Sequence, residues 1–243
     1  MSEISYTPPP PPPPTVPPST PAPQSGFDFA KAFTFIFDDP RWVNKTLIGG
    51  LFYLAGFLIV GWFFLLGYCA RLARNVMNGV EQPLPEWDDL GEYFGEGLRM
   101  AGAVLLYILP LIVVAMLIGI PAALMGAIHD NQGAQVAGSC LSASMVCLMF
   151  PLGLAVTLWY PAALLRLVAE RRFGAAFEFG PIWQFIKANV GNYLLAIVVY
   201  FVARFLAGIG ILLLCIGVIF TGFLSLCVMA HAFAQVWRYR ETA

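Results

Sequence analysis

The densest group of ionisable side chains in this sequence is Glu86, Asp88, Asp89, Glu92 and Glu96. Carboxylates at such spacing could share a divalent cation or act as acid and base. Neither role is completed, because no histidine or cysteine lies nearby in the chain and no nucleophile stands beside a base. The group reads as a solvated helix face, with Asp88 and Asp89 near a helix N-terminus, where the macrodipole favours negative charge. Arg204 and Asp130 stand out because they interrupt apolar surroundings, and an ionisable residue inside a membrane segment is a functional candidate by default. The plainer reading of Arg204 is a side chain that snorkels to the far interface. The sharper one is a structural ion pair with Asp130. His231 reads as a hydrogen-bonded packing residue rather than a proton relay. Cys69, Cys140, Cys147, Cys215 and Cys227 lie in or beside apolar runs without a CxxC pair, and read as small packing residues. No Walker loop, HExxH or GxSxG occurs. The chain is therefore read as not an enzyme, with no catalytic residue, cofactor or metal ligand assigned.

The elements that would position these residues are membrane helices. Apolar residues make up 59% of the chain, charged residues only 11%, and the mean hydropathy is +0.77. A soluble domain carries about 25% charged residues. The expectation is an all-α, multi-pass transmembrane bundle in the cell membrane. A net charge of −1 argues against a nucleic-acid partner. No secretory signal peptide is read at the start, because the first apolar run is too long for one.

Residues 1–26 read as a disordered proline-rich tail. Pro8 to Pro14 is an unbroken proline run, which favours extended polyproline II. The tail is either a spacer or a ligand for an aromatic-lined groove. Residues 27–240 read as one membrane domain with an amphipathic segment occurring three times. The clearest copies begin at Phe27-Asp28-Phe29 and Phe177-Glu178-Phe179; a looser one is Leu84 to Phe94. Each precedes an apolar run of membrane length, giving repeat units of about 27–75, 84–165 and 177–240. The run from Thr46 to Ala70 could be one span or a short hairpin turning near Gly56 to Gly61. Trp42 and Lys45 mark its membrane boundary. Met100 to Ile128 and Val136 to Leu165 are single helices, with Pro110 and Pro121 as expected kinks in the first. Val190 to Val236 turns at Gly208-Ile209-Gly210.

Charge decides the topology. With a hairpin at the first run, every Lys and Arg of the 13 lies on one side except Arg204. The positive-inside rule prefers that arrangement, and three homologous segments on one face require it. Both termini are then cytoplasmic, and the first hairpin is short.

The series Gly67-Tyr68, Arg71, Arg74-Asn75, then Leu84-Pro85-Glu86-Trp87-Asp88-Asp89, resembles a family of small bacterial and archaeal membrane proteins, domain of unknown function 4013 (DUF4013). The resemblance covers roughly residues 27–240. It implies a fold and no established activity. More weakly, the unit of interfacial helix plus hairpin looks like the membrane region attached to some glycerophosphodiester phosphodiesterases, but no catalytic domain of that kind is present.

The expected function is a non-enzymatic membrane scaffold or assembly protein. Its partners are the lipid bilayer and a protein engaged by the tail or the cytoplasmic interfacial helices. One alternative is a small-solute transporter or channel, with Ser139, Ser142, Ser144, Thr157, Thr221 and Ser225 lining a wet path. Another is a membrane-shaping hairpin protein.

Overall fold

The structure, a computed structural model, describes residues 26–128, 131–210 and 217–240. The proline-rich segment up to residue 25, and the loop residues His129 and Asp130, lie outside the described residues. All regular structure among the described residues is helical: α1 (Lys31–Thr34), α2 (Trp42–Ala55), α3 (Val60–Met77), α4 (Leu90–Gly126), α5 (Gln132–Glu170), α6 (Phe179–Ala188), α7 (Val190–Ile209) and α8 (Gly217–Arg240). Of these, α4, α5, α7 and α8 are long and apolar enough to cross a membrane. The chain is a membrane protein.

The first apolar run breaks where its glycines allow. A short 3-10 turn spans Gly56–Leu58, and Ile59 takes a left-handed φ of 66°. The chain reverses there and brings Phe52 back against Phe64, with ring centroids 4.8 Å apart. α4 and α5 continue through Pro110, Pro121, Pro151 and Pro161. Membrane helices tolerate prolines because neighbouring groups re-satisfy the freed carbonyls.

The three amphipathic segments do not share one form. The first is a single helical turn, the second is extended and runs into α4, and only the third is a separate helix, α6. The first segment is also not free at an interface. The Asp28 N–H donates to Gln235 Oε1 at 2.9 Å, and Gln235 Nε2 donates to the Asp28 carbonyl at 3.2 Å. Phe35 stacks on His231 with centroids 4.0 Å apart, so this segment is docked on α8. His231 is the packing residue expected, buried with Nδ1 3.1 Å from Gln235 Nε2. Among the cysteines, Cys69 and Cys227 are buried, while Cys140 and Cys147 are exposed on α5 rather than packed in the core.

α3 joins the other helices. It packs on α2, α4 and α8, while α4 packs along α5 and α7 along α8. The α3–α4 crossing is set by two glycines. A β-carbon on Gly67 would lie 1.9 Å from the Tyr93 carbonyl oxygen, and one on Gly97 1.6 Å from that of Phe63. These obstacles are backbone, so no rotamer change relieves them. Gly97→Ala is expected to force α3 and α4 apart and to cost about 1–3 kcal/mol, the usual penalty for overpacking. Thermal unfolding in detergent checks this; an unchanged midpoint would show that the crossing has slack.

Candidate functional site

The segment after α3 cannot form regular structure. Pro83 and Pro85 have no N–H to donate and fix their own φ angles. Its carbonyls still require donors where they are buried. Four in succession receive one each from a helix side chain. Asn75 Nδ2 donates to the Pro83 carbonyl at 2.9 Å, and Lys45 Nζ to that of Leu84 at 2.9 Å. The Tyr68 hydroxyl donates to the Pro85 carbonyl at 3.1 Å, and the Tyr93 hydroxyl to that of Glu86. The donors come from α2, α3 and α4, so this loop clasps three helices at once.

Trp87 is the centre of the clasp. Its ring stacks on Tyr68 at 4.3 Å and on Phe52 at 4.9 Å, and meets Tyr93 edge-on at 5.6 Å. Such pairs contribute about 0.5–1.5 kcal/mol each beyond the area they bury. Its indole N–H donates back to the Lys45 carbonyl at 3.0 Å.

Lys45 corrects an expectation. It does not snorkel at a boundary; its side chain is 5% exposed. An ammonium has three protons to place. They go to Asp39 Oδ2, to Glu86 Oε1 at 2.6 Å and to the Leu84 carbonyl. Burial alone would raise the Asp39 pKa. The Lys45 hydrogen bond, the Arg41 backbone N–H and the charges of Lys45 and Arg41 outweigh it, leaving Asp39 below the ordinary value of 3.8.

The acidic cluster is exposed at Asp88 and Asp89 and half-buried at Glu86 and Glu92, and it is ion-paired along its length. Glu86 bridges Arg41 at 2.8 Å, and Glu92 pairs with Arg71 at 3.2 Å with Asp88 at 3.8 Å. Glu96 meets Arg74 at 2.6 Å between α3 and α4, and both are largely buried. Asp89 caps α4, accepting from the Glu92 N–H at 2.9 Å. A second ionic group closes the α5–α6 corner, where Arg166 holds Glu170 and Glu178, and Arg172 reaches the same two acids. No group of three metal-ligating side chains occurs among the described residues.

The rest of the bundle is different in character. A slot of about 660 Å³ lies between the α4–α5 pair and α3, α7 and α8. On α3 it extends from Trp62 to Ala73, about 16 Å of helix. Its polar lining is Thr157, Tyr107, Tyr160, Tyr200 and Arg204. The other hydroxyls expected on a wet path do not line it. Ser139, Ser142, Ser144 and Ser225 bond to carbonyls of their own helices, and Thr221 bonds to Gly217 and to Ala207 across the α7–α8 interface. Thr157 lines the slot, yet it too bonds back, to Gly153 at 2.8 Å. Arg204 is exposed on the slot and has no ion-pair partner among the described residues; its expected partner, Asp130, lies outside them.

The fold and clasp define a polytopic helical membrane protein tied at one end by a polar and aromatic knot. The chain belongs to a protein family of unknown function, DUF4013, whose family model matches residues 50–233. No curated protein and no solved structure matches it. The matched region contains Gly67, Tyr68, Arg71, Arg74 and the Leu84-to-Asp89 loop, but not Asp39 or Lys45. Neither of those two was singled out for the site, because no local pattern links them to a loop some 40 residues away.

Removing Lys45 leaves the buried Asp39 carboxylate without its ammonium partner, while Glu86 keeps Arg41. Lys45→Ala is expected to cost about 3–5 kcal/mol, as for other broken buried pairs. The lowered Asp39 pKa implies stability present above about pH 3.8 and lost as pH falls through the still lower folded-state value. Thermal unfolding between pH 6 and pH 3 should therefore fall more steeply in the wild type than in Asp39→Asn. Equal slopes would remove Asp39 from the account.

Proposed function

We propose that the protein is a non-enzymatic membrane scaffold or assembly factor, anchored in the cell membrane with both termini in the cytoplasm. One observation carries the reading. The chemically active residue types of the family motif, Tyr68, Arg71, Arg74, Glu86, Asp88 and Asp89, are engaged with one another and with their neighbours in holding helices together. A motif used in this way specifies a shape presented to partners rather than a turnover.

Three helix pairs, α2–α3, α4–α5 and α7–α8, support a topology of three hairpins entering and leaving on one side. The salt-bridged ends of α3, α4 and α5 then lie together at the cytoplasmic face, where the positive-inside rule puts Lys and Arg. α6 lies at the same level. Its Phe179 and Trp183 face outward as interfacial anchors, with Lys187 Nζ 5.0 Å from the Trp183 ring centre. The proline-rich tail is the segment proposed to recruit a protein partner.

A second reading, transport, is favoured by the slot alone, and its apolar lining suits an amphiphile better than a small polar solute. Single-cysteine accessibility at Ser25, Gly91, Gln132 and Ala243 in a cysteine-free background tests the topology. Only Gln132 should label from outside; labelling of Ser25 from outside would make the first apolar run a single span. Photo-crosslinking in cells from Ser19 tests the role. A protein adduct of one discrete mass is expected, and its absence would sink the scaffold reading.

A further inference from the structure

The clasp accounts for one end of the molecule and leaves the slot without a role. We infer that the slot holds one acyl chain of an anionic amphiphile, with the acidic headgroup on the Arg204 guanidinium. This goes beyond the scaffold reading and does not depend on it.

Size and lining come first. A volume of about 660 Å³ falls among pockets that enclose one small ligand, about 300–1,000 Å³. Protein interiors rarely leave voids larger than a water molecule. Leu66, Met100, Val104, Leu164, Met229 and Phe233 make the lining mostly apolar, and the hydroxyls of Thr157 and Tyr107 are already bonded to the Gly153 and Ala176 carbonyls. An apolar cavity stays dry and takes apolar guests, and inside a bilayer the available guest is a hydrocarbon chain. A slot about 16 Å long and of this volume takes one chain; a two-chained lipid would leave the other outside.

Charge supplies the other half. Arg204 lines the same slot, is exposed there, and no carboxylate pairs with it among the described residues. A cation inside a spanning helix is expensive and is normally paired. Its guanidinium fork matches a carboxylate or phosphate. Tyr200, four residues earlier on α7, and Tyr160 from α5 line the slot beside it, and Tyr160 lies within electrostatic reach of Arg204.

Position fixes the direction. Arg204 is five residues from the end of α7, about 8 Å along the helix. The slot's opposite end reaches Ala73, Met100 and Val168, next to the Arg74–Glu96 pair. The headgroup therefore sits near the end of α7 and the chain runs inward toward the clasp.

The test uses the full-length protein in mild detergent with radiolabelled oleate, and oleyl alcohol as the uncharged probe. Oleate should bind saturably and at least tenfold more tightly than the alcohol. Arg204→Gln should remove that tenfold preference without weakening alcohol binding, and Arg204→Lys should keep most of it. Ala101→Trp, which fills the slot, should abolish binding of both probes; if it does not fold, Thr157→Phe makes the same test from α5. Mass spectrometry of protein released from nanodiscs separates the sources. A retained fatty acid, or a retained phosphatidylglycerol in preference to phosphatidylcholine, supports the site if Arg204→Gln loses it. Equal affinity for oleate and oleyl alcohol overturns the proposal. So does loss of oleate binding on Arg99→Gln/Arg171→Gln rather than on Arg204→Gln, which places the headgroup at the other end. Rescue of an unstable Arg204→Glu by Asp130→Arg overturns it as well, because the partner of Arg204 is then the protein itself.

Discussion

Four consecutive carbonyls that belong to no helical ladder constrain this structure more than any other feature. Two prolines deny the loop from Pro83 to Glu86 its own hydrogen-bonding pattern, so its oxygens must be met from elsewhere. Each donor lies on a helix, and each helix must arrive at a fixed height to deliver it. Trp87 then fills the space the donors enclose, and the Lys45 ammonium closes it electrostatically. Removing any one of these groups leaves a buried polar atom unmatched, which makes the clasp cooperative.

The clasp explains why the adjacent helix crossing can be so close. Gly67 and Gly97 bring α3 and α4 to backbone contact just beside the Tyr68 and Tyr93 donors. Ion pairs of Arg71 and Arg74 with Glu92 and Glu96 continue the same seam along successive turns. At this end the bundle is rigid by construction. Away from it, contacts between the α4–α5 pair and α7 and α8 thin out, and the slot begins where the polar seam stops.

Much of the helical layout could be read from the chain. The break between Gly56 and Ile59 and the end of α7 at Ile209 both fall beside glycines inside apolar runs. The motif from Gly67 to Asp89 was legible as one unit, because its residue types and spacing are unusual for apolar helix. Its purpose was not. Hydrophobic periodicity says nothing of which carbonyl a tyrosine will meet, and Lys45 looked like any boundary lysine because its partners Glu86 and Leu84 are remote in sequence. The docking of Asp28 on Gln235 spans 207 residues and leaves no local trace. The three amphipathic segments are alike in residue type, yet their backbones differ: a single turn, an extended loop and a separate helix.

The long helices α4 and α7 differ in apolar length. The apolar stretch of α4 from Met100 to Gly126 runs about 40 Å along its axis, against about 30 Å for the whole of α7. A hydrocarbon layer about 30 Å thick matches α7 and falls short of α4. The most apolar parts of α4 and α5 are almost wholly uncovered by the rest of the chain, so this extra length is apolar outer surface. Either this pair leans while α7 stands upright, or the surrounding acyl chains stretch beside it. One flank of the protein therefore carries a taller apolar surface than the other, and a bilayer of one thickness matches both only if the taller pair tilts.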